Sequence, residues 1–233
     1  MKKIFLLIWV LLMTWALTGC WTVNVPENTE IEEVENTTAD AEKKYDYLIL
    51  VNKQHKLPDD WEEKVELEDV ENAYWETIQV EKEALEQYFA LREALLKEGV
   101  DIELDSAYRS VVKQQQVRDE FEQEYGIDYV RKYVAVPWYS EHHTALAIDI
   151  CIIKDWELIY ENDDMIAEKE IFAKIHEKLA DYWFILRYLE WKDDITWYAY
   201  EPWHIRYVWD VAIAKEIYEN GLTFEEYLGE MPE

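Results

Sequence analysis

Residues 139–150, "YSEHHTALAIDI", set two adjacent histidines six and seven positions ahead of an aspartate in an apolar, strand-like run. Successive side chains on a strand point to opposite faces, so His142 and His143 are not expected to serve one site. His142 and Asp149 are an odd number of residues apart, and a straight strand cannot turn both to one face. A bend is expected between them, at Thr144-Ala145.

The flanking sequence supplies the rest of an α+β domain. "YLILVNK", from Tyr47, reads as an opening strand. Leu85, Tyr88, Phe89, Leu95 and Leu96 recur at helical spacing across 80–98, and Gly99 provides a stop. Val100, Ile102 and Leu104 alternate with acids as a half-buried strand. Ser110 is placed to cap a helix running to Tyr125. Ile171, Phe172, Ile175, Leu179 and Tyr182 predict one amphipathic helix over 165–182. "FILRY" and "YAYEPWHIRYV" read as strands. Helices early and strands late predict a small, mainly antiparallel sheet flanked by helices.

"EPWH", residues 201–204, adds a second histidine and a glutamate. Pro202 interrupts a strand ladder, which can let Glu201 and His204 converge. Two imidazoles and one carboxylate make a common catalytic zinc shell, with its fourth position left to water. Zinc lowers the pKa of that water, and a nearby carboxylate such as Glu201 can take the proton. The helical HExxH signature is absent. Cys151 stands in an apolar run as a small core residue. His55 and His176 are expected on loop or helix surfaces.

Taken in order, these motifs resemble the VanY-like D-alanyl-D-alanine carboxypeptidases, zinc peptidases of the LAS/hedgehog-like fold. "SEHHTALAID" is similar to their SxHxxGxAxD pattern and "EPWH" to their ExxH element, while "SAYRS" with Gln114 looks like their substrate segment. The resemblance covers about residues 47–228. It implies that His142, Asp149 and His204 hold one zinc ion and that Glu201 is the general base. It further implies that Arg109 clamps the substrate carboxylate, with Gln114 and Ser140 as further contacts. The implied reaction removes the terminal D-Ala from peptidoglycan stem peptides. L,D-carboxypeptidase or endopeptidase action, and a non-catalytic cell-wall-binding role, are the alternatives.

The chain has twelve tryptophans and only five glycines, against an average glycine usage of about 7%. Trp138, Trp156, Trp183, Trp191, Trp197 and Trp209 fall where glycine is expected, and Ala145 stands at the glycine of the SxHxxGxAxD pattern. Trp203, inside "EPWH", belongs. Some bacteria read UGA as glycine, and UGA codons translated as tryptophan would leave this pattern.

The N-terminal end reads as a targeting segment: Lys2 and Lys3, an apolar stretch, then Leu17-Thr18-Gly19-Cys20. That ending resembles a lipobox, so residues 1–19 are expected to be a lipoprotein signal peptide with Cys20 as the lipidation site. Residues 20–45 read as an acidic tether, and 46–229 as the peptidase domain. The expected location is the outer face of the cytoplasmic membrane. A net charge of -29, from 52 acidic and 23 basic residues, argues against nucleic-acid binding, which needs clustered Lys and Arg.

Overall fold

Among the residues described by the computed structural model, 45–232, the strands form a hairpin and a five-stranded sheet. The segment expected to target the chain, Cys20 and nearly all of the expected acidic tether lie outside the described residues. β1 (Leu67–Glu71) and β2 (Thr77–Glu81) make the antiparallel hairpin. The larger sheet holds β3 (Asp101–Ser106), β4 (Ala147–Lys154), β5 (Glu157–Ile159), β6 (Phe184–Tyr188) and β7 (Glu201–Tyr207). Its order is β3-β4-β7-β6 with β5 on β4, and every pairing is antiparallel. The α+β expectation holds.

Helix α1 (Lys82–Lys97) lays Leu85, Tyr88 and Leu95 on the core, as the spacing predicts, together with Leu91, whereas Phe89 and Leu96 stand exposed. Ser110 caps α2 (Val111–Tyr125) by accepting from the Lys113 N–H, and Gly126 breaks the chain before α3 (Ile127–Tyr133). The helix expected over 165–182 is interrupted. Glu168 separates α4 (Asn162–Ala167) from α5 (Lys169–Leu179), and a 3-10 turn takes 180–182. α6 (Asp193–Thr196), α7 (Val211–Asn220) and α8 (Phe224–Leu228) complete the fold. No helix among the described residues is long and apolar enough to cross a membrane.

Residues 47–53 are buried in part but form no strand. The buried Arg206 guanidinium explains this, because its Nη2 donates to the carbonyls of Tyr47 and Ile49, acceptors a neighbouring strand would otherwise use.

The backbone carries an unusual burden. Among the described residues, nine non-glycine residues have positive φ, and seven are tryptophan: Trp75, Trp138, Trp156, Trp183, Trp191, Trp197 and Trp209, between 56° and 74°. A bulky residue there is a genuine outlier, since its Cβ crowds the backbone. Trp183 and Trp197 end helical turns in the same left-handed conformation that Gly221 and Gly229 adopt after α7 and α8. Asp155 and Trp156, at φ 53° and 70°, form the two-residue loop between the paired Lys154 and Glu157. That loop favours Asp-Gly.

Candidate metal and active site

His142 and His143 lie not on a strand but on a single 3-10 turn, Glu141–Thr144. The turn ends at Ala145, in the left-handed region at φ 61°, and β4 begins two residues later. Thr144 stabilises this corner: its hydroxyl donates to the Glu141 carbonyl and accepts from the Leu146 N–H. The bend expected at Thr144-Ala145 is therefore present, and it turns His142 back over the face that carries Asp149. β4 and β7 then pair so that Asp149 stands directly opposite His204. Directly opposed residues share a face of the sheet.

The three predicted ligands converge. One ligand atom from each of His142, Asp149 and His204 lies within 4.8 Å of the others. Nε2 of His142 is 3.1 Å from Asp149 Oδ2, and Nδ1 of His204 is 3.0 Å from Asp149 Oδ1. Asp149 Oδ1 is nonetheless buried with no hydrogen-bond partner, so proximity to His204 has not produced a bond. An unsatisfied buried carboxylate oxygen costs free energy unless something else binds it. A divalent cation between these three groups satisfies it, and the donor set of two imidazoles and a carboxylate suits zinc.

Both imidazoles have their outward nitrogens engaged. His142 donates from Nδ1 to the Ala107 carbonyl at 2.7 Å, which leaves Nε2 for the metal. His204 turns Nε2 toward Glu141 Oε2 at 3.4 Å, which leaves Nδ1. Such outer partners set the tautomer and orientation of a metal-binding imidazole. His143 is separate, as expected: it donates from Nδ1 to the Arg109 carbonyl and accepts at Nε2 from the Trp138 N–H. His176 lies half-buried on α5, and its Nε2 donates to the Pro202 carbonyl and supports β7.

The electrostatics separate the carboxyl groups by role. Burial pushes Glu201 up to about 8; His204 opposes this and Asp149 reinforces it. Glu201 Oε2 is 3.8 Å from His204 Nδ1. Asp149 is held well below the usual carboxylate range because His142 and His204 outweigh its burial. In the metal-free chain His204 rises to about 9, with Asp149 and Glu141 overcoming the burial that disfavours its charge. His142 goes down instead, because burial dominates and Arg109 adds to it. The two histidines differ because two carboxylates, Asp149 and Glu141, lie against His204, whereas only Asp149 lies against His142.

These groups line a cleft of 280 Å³. Arg109 enters it beside the ligands, its Nη2 3.9 Å from Asp149 Oδ2 and 3.0 Å from the Ser106 hydroxyl. Its Nη1 donates to Gln114 Oε1, and Gln114 in turn donates to the Ala135 carbonyl. Gln114 therefore also braces the arginine. Ser140 and Gln114 both face the cleft. Asp105 and Glu141, which no motif singles out, also line the cleft. Asp105, pushed up to about 6 first by burial and then by Asp149, lines the cleft and accepts from the Tyr74 hydroxyl. Glu141 has both carboxylate oxygens engaged by buried partners.

A cleft with three converging metal-ligand groups, a buried carboxyl group and a fixed guanidinium fits a metallohydrolase. The particular family follows from comparison. The profile of the VanY family, D-alanyl-D-alanine carboxypeptidase, matches residues 77–210, and the chain belongs to that family. It is 38% identical over 184 residues to the putative carboxypeptidase YodJ of Bacillus subtilis, covering 77% of this chain and 66% of that one. A D-alanyl-D-alanine carboxypeptidase of Enterococcus faecalis is 35% identical over 91% of this chain and 76% of its own. Among solved structures, the D,D-pentapeptidase VanY of a VanB-type resistance cassette, in complex with Zn(II), superposes with a TM-score of 0.67 at 32% identity. It covers 79% of this chain and 99% of that one. The LD-carboxypeptidase LdcB superposes at 0.66 with 34% identity, over 80% of this chain and 87% of its own.

Proposed function

We propose that the chain is a zinc-dependent D,D-carboxypeptidase that removes the terminal D-Ala from peptidoglycan stem peptides. The carrying observation is the convergence of His142, Asp149 and His204 around an unsatisfied Asp149 oxygen, with Glu201 beside them and Arg109 facing the same cleft. Zinc held there supplies Lewis acidity to a water and to the scissile carbonyl. Arg109 pairs with the substrate's terminal carboxylate, using a planar fork that Gln114 and Ser106 keep oriented. Glu201 accepts a proton from the attacking water and returns it to the departing amine nitrogen. One C–O bond forms and the peptide C–N bond breaks.

The lipobox-like ending at Cys20 supports lipid anchoring on the outer face of the cytoplasmic membrane, where peptidoglycan is found. Incubating the purified chain with a defined pentapeptide, with and without a chelator, tests the activity. Chelator-sensitive release of one D-Ala is expected. Cleavage of a tetrapeptide but not the pentapeptide would move the assignment to L,D-specificity, and no cleavage of either would overturn it.

A further inference from the structure

We propose that seven tryptophans of this chain are glycines in the protein its host makes, decoded from UGA. Residues 45–232 contain nine tryptophans, and seven have left-handed φ. The two exceptions, Trp61 and Trp203, are the two that are buried. All four glycines in the same residues also have positive φ, from 59° to 83°. Apart from the tryptophans, only Ala145 and Asp155 share that region, and Asp is among the residues that tolerate it. A packing role does not account for Trp75, Trp156 and Trp191, which are 83%, 98% and 85% exposed, although Trp183 and Trp209 do pack against the core. Left-handed turns are the positions where glycine's missing Cβ matters. Tryptophan placement therefore tracks backbone geometry: the two with ordinary φ are buried, and the other seven stand at left-handed turns. Expression of the unmodified gene in a host that stops at UGA is expected to yield no product reaching residue 75. Peptides spanning 156 and 191 from the natural host should carry the mass of glycine there. Full-length product from the unmodified gene, or tryptophan in those peptides, overturns the proposal.

A separate observation concerns Glu141. The geometry points to it as a positioning residue for the ligand His204, an inference that rests on the zinc reading above. Its Oε2 faces His204 Nε2, while Oε1 accepts from Arg187 Nε at 2.7 Å and Arg206 Nη1 at 2.9 Å. Arg187 continues to Glu225 on α8 through two bonds of 2.9 and 2.6 Å, and Asn52 donates to Glu225 at 3.0 Å. Glu141, Arg187 and Glu225 are wholly enclosed. A buried ion chain is poor evidence of stabilisation, but it holds its members in one arrangement. Glu141→Gln keeps the shape and removes the charge; Glu225→Gln cuts the same chain away from the histidine. Chelator competition should show zinc affinity falling about 10- to 100-fold in E141Q, with E225Q much closer to the parent. Equal zinc losses in both variants, or none in E141Q, overturn the role. Failure of the parent itself to bind zinc sinks the underlying zinc reading instead.

Discussion

Replacing Trp75, Trp156 and Trp191 together by glycine should stabilise the chain, although each change deletes a large aromatic side chain. All three are more than four-fifths exposed and at φ between 63° and 70°. An L-residue held in the left-handed region costs roughly 1–2 kcal/mol. Glycine returns about 0.4–1 kcal/mol of that through greater freedom in the unfolded chain. The net gain is then about 0.5–1 kcal/mol per position. The three sites lie in separate loops, so their effects should add to roughly 1.5–3 kcal/mol. For a domain of this size that raises the melting temperature by roughly 5–10 °C. Thermal unfolding of the parent and the triple variant measures it directly. Trp61→Gly and Trp203→Gly are the controls. Both residues are buried, and Trp61 Nε1 donates to the Thr144 carbonyl at 3.1 Å, so each should lose about 3–5 kcal/mol. A triple variant that melts at or below the parent would refute the reasoning.

Three further outcomes follow from the site. Glu201→Gln should retain zinc but lower kcat by about 10²–10⁴-fold, measured as D-Ala release alongside metal content; unchanged turnover removes Glu201 from the mechanism. Arg109→Lys should raise KM more than it lowers kcat, with kcat/KM falling about 10- to 100-fold, because a charge-assisted hydrogen bond contributes about 1.5–3 kcal/mol; an unchanged KM would rule out the carboxylate clamp. In chelator, the chain should lose stability as pH rises. His204 goes from 6.5 to about 9 and Glu201 from 4.5 to about 8 on folding. Each raised pKa means that the folded state binds the proton more tightly. The stability from His204 is present below 6.5 and gone above 9, and that from Glu201 is already declining from 4.5. Thermal melts at pH 6.5 and 9 read this, and a metal-free chain more stable at pH 9 would contradict it.

The order of motifs, the residue types and the helix starts at Ser110 and in the α1 region were legible in the sequence. They are local properties: a cap, a spacing, an apolar run. The β1–β2 hairpin escaped notice because Leu67–Glu71 is acidic and mostly exposed, so it lacks the alternation that marks a half-buried strand. The opening strand expected at Tyr47 fails because a side chain from β7 takes its carbonyls. Similarly, the break at Glu168 is hidden in an apolar spacing that continues on both sides.

The sequence by itself determined which chemistry is available: two imidazoles, two carboxyls and a guanidinium, with an odd spacing that demands a bend. Only the tertiary structure decided that those groups meet. The antiparallel register setting Asp149 against His204 is a relation between strands more than fifty residues apart. The left-handed corner at Ala145 brings His142 to the same face. Glu141 becomes part of the site only when Arg187, Arg206 and His204 enclose it, because charges buried together interact through space and not through neighbouring residues in the chain.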